Sequence, residues 1–69
     1  MSLGGLRKRR SWSQEDLALG AGVDRTTVKK IEGGKARPLP ETIRKLAAAL
    51  GLEPAELAEH LAGAQHSHD

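Results

Sequence analysis

Glycine and proline residues divide this chain into short segments, and this division constrains its fold more than any other feature. Turn-favouring groups containing these residues occur at positions 4–5, 20–24, 33–34, 38–40, 51–54 and 63. Such groups end helices or mark turns. No segment between them alternates apolar and polar residues as a half-buried strand would. The sequence therefore predicts several short helices rather than a long helix or a sheet.

Five short helices fit between these groups. We predict them at residues 3–10, from Ser13, at about residues 24–33, from Pro40 to Gly51, and from residues 53–54 to Gly63. Ser13 and Asp24 are residue types that cap helix N-termini, and glycines at 33–34 and 51 are typical helix stops. We expect an all-α fold: a compact bundle of about five short helices, forming one domain over residues 1–63, followed by a disordered polar tail over residues 64–69.

The size and composition of the chain exclude several classes of function. The chain has 69 residues and contains no cysteine. A chain of this length buries only about 60% of its unfolded surface, which leaves no room for a separate substrate-binding domain. Its longest purely apolar run, residues 46–50, is far shorter than a membrane span. We therefore expect a cytoplasmic protein that is not an enzyme and has no metal site, no cofactor, no small-molecule ligand and no membrane partner.

Charge is distributed unevenly along the chain. Nine of the 11 lysine and arginine residues lie before Pro38, whereas five of the nine acidic residues lie after it. A basic half joined to an acidic half is typical of proteins that bind a polyanion through one side. Ordinary solvated surface charges explain the same counts equally well, so the arrangement of the charges must decide.

The second and third predicted helices are joined by a tight turn containing Gly22, which predicts a helix-turn-helix. In that motif the second helix enters the DNA major groove. Val28 and Ile31 define the inner side of the third helix. An ideal helical repeat places Thr26, Lys29, Lys30 and Gly33 on the opposite side, with Arg25 beside them at the exposed start of the helix. Arginine, lysine and threonine can all contact base edges. The alternative is a solvated polar face on an ordinary pair of helices.

An ordered series of segments resembles the Xre or Cro/CI-type helix-turn-helix regulators, which have the lambda-repressor-like fold. The matching segments are WSQEDLA at 12–18, AGVDRTTV at 21–28, IEGGK at 31–35, ETI at 41–43 and LAAALG at 46–51. Short matches at 6–7 and 37–38 extend the resemblance over about residues 6–57. The resemblance implies sequence-specific binding of double-stranded DNA by a transcriptional regulator.

The resemblance also implies roles for individual residues. Residues matching base-contacting positions are Gln14, Arg25, Thr26 and Lys30. At the position of Gln14 the family has a glutamine whose N–H and side chain meet the DNA backbone and which braces a base contact. Residues matching positions that contact the DNA backbone are Thr27, Lys29, Lys35 and Arg37. Arg7 and Glu32 match a structural ion pair between the first and third helices. The alternatives are an ordinary helix-terminal residue for Gln14 and solvated loop charges for Lys35 and Arg37.

Because one short helix reads only a few base pairs, we expect a homodimer on a palindromic operator. Leu52, Leu57 and Leu61 are the candidate dimer surface, and the alternative for these three is that they belong to the core. A protein-interaction module of the same fold, such as an antitoxin-like partner, is the alternative function. The cationic face of the third helix disfavours it.

Overall fold

The computed structural model describes the backbone of residues 2–66 and the side chains of residues 2–61. Over these residues it contains five helices and no strand: α1 (Leu3–Lys8), α2 (Gln14–Ala21), α3 (Arg25–Glu32), α4 (Pro40–Leu50) and α5 (Pro54–His66). The prediction of an all-α fold built from five short helices is therefore confirmed. No helix in this part of the chain is long and apolar enough to cross a bilayer.

The first and last helices differ from the prediction in length. α1 ends at Lys8 rather than at residue 10, and the chain turns through Ser11, whose φ of 59° lies in the left-handed region usually taken by glycine. α5 continues through Gly63 to His66, so residues 64–66 of the predicted tail are helical. An interior glycine costs a helix only about 1 kcal/mol and need not end it. The rest of that tail, residues 67–69, lies outside the described residues.

Local sequence explains the start of α2 more fully than the start of α3. The Ser13 hydroxyl accepts from the Asp16 N–H at 3.0 Å, and the Asp16 carboxylate accepts from the Ser13 N–H at 2.8 Å, which is a complete capping box. Both bonds hold the pKa of Asp16 below its usual value. Asp24 occupies the N-cap position of α3 as predicted, but its side chain makes no capping hydrogen bond.

The core receives one fully buried large side chain from each helix. These side chains are Leu3, Leu17, Val28, Leu46 and Leu57. Full burial of a side chain of this size stabilises the fold by about 1.5–3 kcal/mol. Because Leu57 is 0% exposed, its assignment to a dimer surface is wrong, and the core alternative holds. Leu52 and Leu61 are partly buried and pack against the same core.

Helix packing leaves one side of α3 free. α2 packs against both α3 and α4, α5 packs against α4, and α1 packs against α3. α3 therefore uses one side to contact α2 and the core, and its other side faces solvent.

Candidate nucleic-acid interface

A three-residue turn joins α2 to α3. Gly22 adopts φ 71° and ψ 36°, the left-handed conformation, and the next N–H, that of Val23, donates to the Ala18 carbonyl at 3.0 Å. This pattern is a Schellman turn, which ends a helix and redirects the chain sharply. The Val23 side chain packs against the core. The angle between α2 and α3 is thus fixed at this end by a glycine and an apolar anchor.

The two sides of α3 differ in burial as the sequence predicted. Val28 is 0% exposed and Ile31 is 8% exposed. The exposed residues of the helix are Arg25, Thr26, Lys29 and Lys30, and we call them the outward face of α3. Thr27 is half-buried at the border between the two sides. An eight-residue helix that carries its cations on one side can present them together to a single ligand.

The cations of this outward face have no acidic partner in the described part of the chain. Ion pairs in this part join Arg7 to Glu32 and Lys45 to Glu41, and neither pair includes a residue of the outward face. In the described part of the chain, no three histidine, aspartate or glutamate side chains form a group that could hold a metal ion. The chemistry that the face offers is therefore positive charge and hydrogen-bond donation.

Lys35 and Arg37 are exposed in the loop after α3. The start of that loop is ordered by Gly34, whose φ is 71°, and by a hydrogen bond from the Lys35 N–H to the Lys30 carbonyl at 2.9 Å. The left-handed residue at the end of α3 is therefore Gly34, since Gly33 keeps a right-handed φ of −82°. This turn fixes the backbone of Lys35 directly beside the last turn of α3.

Arg7 and Glu32 form a two-bond ion pair between α1 and α3. Arg7 Nε donates to Glu32 Oε2 at 2.7 Å, and Arg7 Nη2 donates to Glu32 Oε1 at 3.0 Å. The side chains are only 11% and 13% exposed. Arg7 Nη1 donates further to the Trp12 carbonyl at 2.7 Å, just before α2. The pair implied by the family resemblance is thus present and extends to the segment that leads into α2.

Gln14 belongs to the same cluster. Its Nε2 donates to Glu32 Oε1 at 3.2 Å, and the side chain is half-buried. We call this cluster the junction; it consists of Arg7, Gln14, Glu32 and the Trp12 carbonyl. The structure therefore places Gln14 with the ion pair, while Arg25, Thr26 and Lys30 lie on the outward face.

Each charged partner at the junction stabilises the charged form of the other. Burial by itself raises the pKa of Glu32, but hydrogen bonds from Arg7 and Gln14 and the positive charges of Arg7 and Lys8 outweigh it, so the pKa lies below its usual value. The bond to Glu32 raises the pKa of Arg7 despite the desolvation of its guanidinium. Both groups are therefore charged at neutral pH.

Comparison with known proteins agrees with this geometry. A helix-turn-helix family model matches residues 5–57, which include α2, α3 and the turn between them. The chain belongs to this family. Over the described residues, its order of five helices fits the lambda-repressor-like fold of the Xre and Cro/CI-type members, as the sequence predicted.

Two relatives of this helix-turn-helix chain carry names that refer to transcription. It is 41% identical over 51 residues to a protein named "Neisseria hypothetical transcription factor" from Neisseria meningitidis serogroup B, covering 74% of this chain and 48% of the relative. It is 46% identical over 46 residues to an "Uncharacterized HTH-type transcriptional regulator" of Bacillus subtilis, covering 65% of this chain and 33% of the relative. The matched regions thus span half or less of each relative.

Two structural residues of this helix-turn-helix domain escaped sequence reasoning. A Cβ atom on Gly4 would lie 3.2 Å from Glu32 Oε1, so α1 can approach Glu32 closely because residue 4 is glycine. Gly4 lies three residues before Arg7, which places both on the same side of a helix, and this spacing was a signal in the sequence.

Arg10 is the second of these residues. Its Nη2 donates to the Leu50 carbonyl at the end of α4, at 2.6 Å, and its guanidinium lies 5.4 Å from the centroid of the Trp12 ring. No local pattern relates residues that are 40 positions apart, so the sequence contained no signal for this contact.

Proposed function

We propose that this chain binds double-stranded DNA in a sequence-specific manner as a transcriptional regulator, with α3 in the major groove. The observation that carries this proposal is the outward face of α3, whose cations are exposed and lack an acidic partner in the described residues. Helix-turn-helix proteins insert the helix that follows the turn. A DNA-binding role also places the protein on the nucleoid in the cytoplasm.

Arg25, Thr26 and Lys30 are the proposed base-contacting residues of α3. Arg25 is the first residue of the helix and Thr26 the second, and helix-turn-helix proteins read bases mainly with the N-terminal part of this helix. Arginine and lysine donate to the O6 and N7 atoms of guanine, and threonine can contact the methyl group of thymine. We therefore expect guanine at one or more positions of each half-site.

Four further residues are the proposed contacts to the DNA backbone. They are Thr27, Lys29, Lys35 and Arg37. Contacts to phosphate set the register of a protein on the duplex but carry no sequence information. The ordered turn at Gly34 supports this role for Lys35, because its backbone is fixed relative to α3.

We propose that the protein binds a palindromic operator as a homodimer. α3 has eight residues and is therefore about 12 Å long, enough to read only a few base pairs. Two half-sites one helical turn apart supply the remaining specificity. Of the three leucines first considered for the dimer surface, Leu52 and Leu61 remain candidates because both are only partly buried.

Selection of bound sequences from a random pool of DNA duplexes tests this function. We expect a palindromic consensus and an affinity that falls as salt rises, with a log–log slope of about −0.9 per neutralised phosphate. A flat salt response would refute DNA binding. A consensus without two-fold symmetry would refute the dimer while leaving DNA binding intact.

The alternative function, a protein-interaction module of the antitoxin type, is favoured by two exposed apolar side chains. Leu19 is 76% exposed and Leu39 is 70% exposed. Single exposed leucines are common on protein surfaces, so this observation is weaker than the unpaired cationic face. A stoichiometric protein partner that is lost on Leu19→Ser or Leu39→Ser, together with no shift of any DNA, would favour the alternative.

A further inference from the structure

The hydrogen bond of Gln14 closes the helix-turn-helix at the end opposite its turn. Gln14 is the first residue of α2 and Glu32 is the last residue of α3. The Gly22 turn joins the other two ends of these helices. α2 and α3 are thus connected at both ends, covalently through the turn and through a 3.2 Å hydrogen bond between Gln14 Nε2 and Glu32 Oε1.

The chemistry of the junction determines which atom of the Gln14 amide faces Glu32. An ionised carboxylate only accepts hydrogen bonds, so the amide nitrogen must point toward it. Glu32 Oε1 also accepts from Arg7 Nη2 at 3.0 Å, and Arg7 is itself held by the Trp12 carbonyl. The plane of the Gln14 amide is therefore tied to a carboxylate that two bonds from Arg7 hold in place, and Arg7 is held in turn by its bond to the Trp12 carbonyl.

We propose that Gln14 is a positioning residue, which sets the angle between α2 and α3 through Glu32, rather than a residue that reads a base. The proposal rests on the proposed DNA-binding function, and it replaces the contact between the Gln14 side chain and DNA that the family resemblance implied. A glutamine reads adenine by aligning its amide plane with the base edge. Here that plane is aligned with Glu32, and the side chain is half-buried.

A double-mutant cycle separates positioning from direct contact. The background variant Arg7→Met with Glu32→Met removes the acceptor of Gln14 without leaving an unpaired buried charge. In the native background we expect Gln14→Ala to weaken binding to cognate and random DNA by the same factor. The factor should be roughly three- to tenfold, which lies within the range of coupling between residues that share one hydrogen-bond network. In the background that carries Arg7→Met and Glu32→Met, we expect the factor by which Gln14→Ala weakens DNA binding to fall to about one. Lys45→Ala, at an exposed position of α4, is the control.

Two outcomes would overturn the positioning role while leaving the proposed function intact. A loss of equal size in both backgrounds means that Gln14 contacts DNA directly. A loss confined to the cognate site means that it reads a base. Wild-type protein that binds no DNA at low salt would instead overturn the proposed function, and the positioning role with it.

A second measurement needs no DNA. The carboxyl carbon of Glu32 can be titrated by NMR in the wild type and in Gln14→Ala, with thermal unfolding recorded to show that both proteins are folded. Loss of the Gln14 bond should raise the pKa of Glu32, because that bond stabilises the carboxylate alongside the charges of Arg7 and Lys8. An unchanged pKa would overturn the inference even if the protein binds DNA.

Discussion

The junction and the outward face of α3 use the same kinds of side chain in opposite ways. At the junction, the Arg7 guanidinium is buried and all three of its nitrogens donate to protein oxygens. On the outward face, Arg25, Lys29 and Lys30 are exposed and have no acidic partner in the described residues. The two regions meet on one helix, since Glu32 is the last residue of α3.

The difference shows how one short helix can be held in place by contacts within the protein and still expose cations to a ligand. A cation whose donors are already satisfied inside the protein gains little from a phosphate or a base, whereas an exposed one can replace water and counterions around DNA. A buried ion pair is costly to break, because removing either partner leaves the other one charged and desolvated. Substitutions of Arg7 or Glu32 should therefore mainly change stability, and substitutions on the outward face should mainly change binding.

The largest expected effect is on stability, at the junction. Glu32→Ala leaves the Arg7 guanidinium buried without its carboxylate, and we expect a loss of about 3–5 kcal/mol in the free energy of unfolding, measured by urea denaturation. Glu32→Gln keeps an oxygen acceptor and should lose less. Glu59→Ala, at an exposed acid of α5, is the control and should change stability by less than about 0.5 kcal/mol. Equal losses for Glu32→Ala and Glu59→Ala would remove the distinction between the two regions.

The next effect is on DNA affinity, at the outward face. Arg25→Ala and Lys30→Ala should each cost about 1–3 kcal/mol on the cognate site and relax specificity there, whereas Lys35→Ala should weaken binding to all sequences. Lys45→Ala, on α4 beside Glu41, is the control. It should change neither the affinity for the cognate site nor the affinity for other sequences. Affinities are measured on cognate and random duplexes at one salt concentration. Equal losses on both duplexes for all three variants would refute the assignment of base and backbone contacts.

Acid should weaken the junction through its carboxylate. The folded-state pKa of Glu32 lies below the usual value of 4.5, so its contribution to stability is complete above that value and is lost as pH falls through the folded-state pKa. We expect a smaller loss than in Glu32→Ala, because protonation leaves the side chain in place. Asp16 contributes in the same direction. Wild-type stability measured between pH 7 and pH 2 should fall more than that of Glu32→Gln, and parallel curves would contradict this.

Sequence reasoning was more successful for the outward face of α3 than for the junction. The exposure of Arg25, Thr26, Lys29 and Lys30 follows from a helical repeat and two apolar residues, which is local information. The length of α1 and the contact between Arg10 and Leu50 depend on how distant segments meet, and no spacing encodes that. The ion pair of Arg7 and Glu32 was predicted through the family resemblance alone. Leu57 was misjudged because an apolar stripe does not reveal whether it faces a core or a second copy.

Two glycines allow the finest test, because the same substitution can be made in both environments. A Cβ on Gly20, in α2, would meet nothing within 4 Å. Gly20→Ala should therefore stabilise the protein by about 0.5–1 kcal/mol through helix propensity. A Cβ on Gly4 would lie 3.2 Å from Glu32 Oε1, and Glu32 cannot retreat without lengthening its bonds to Arg7 and Gln14. Gly4→Ala should therefore give no gain, and we expect a loss below about 1 kcal/mol. Thermal unfolding of the two variants measures the difference, and an equal gain from both would show that Glu32 moves freely and that the junction is not rigid.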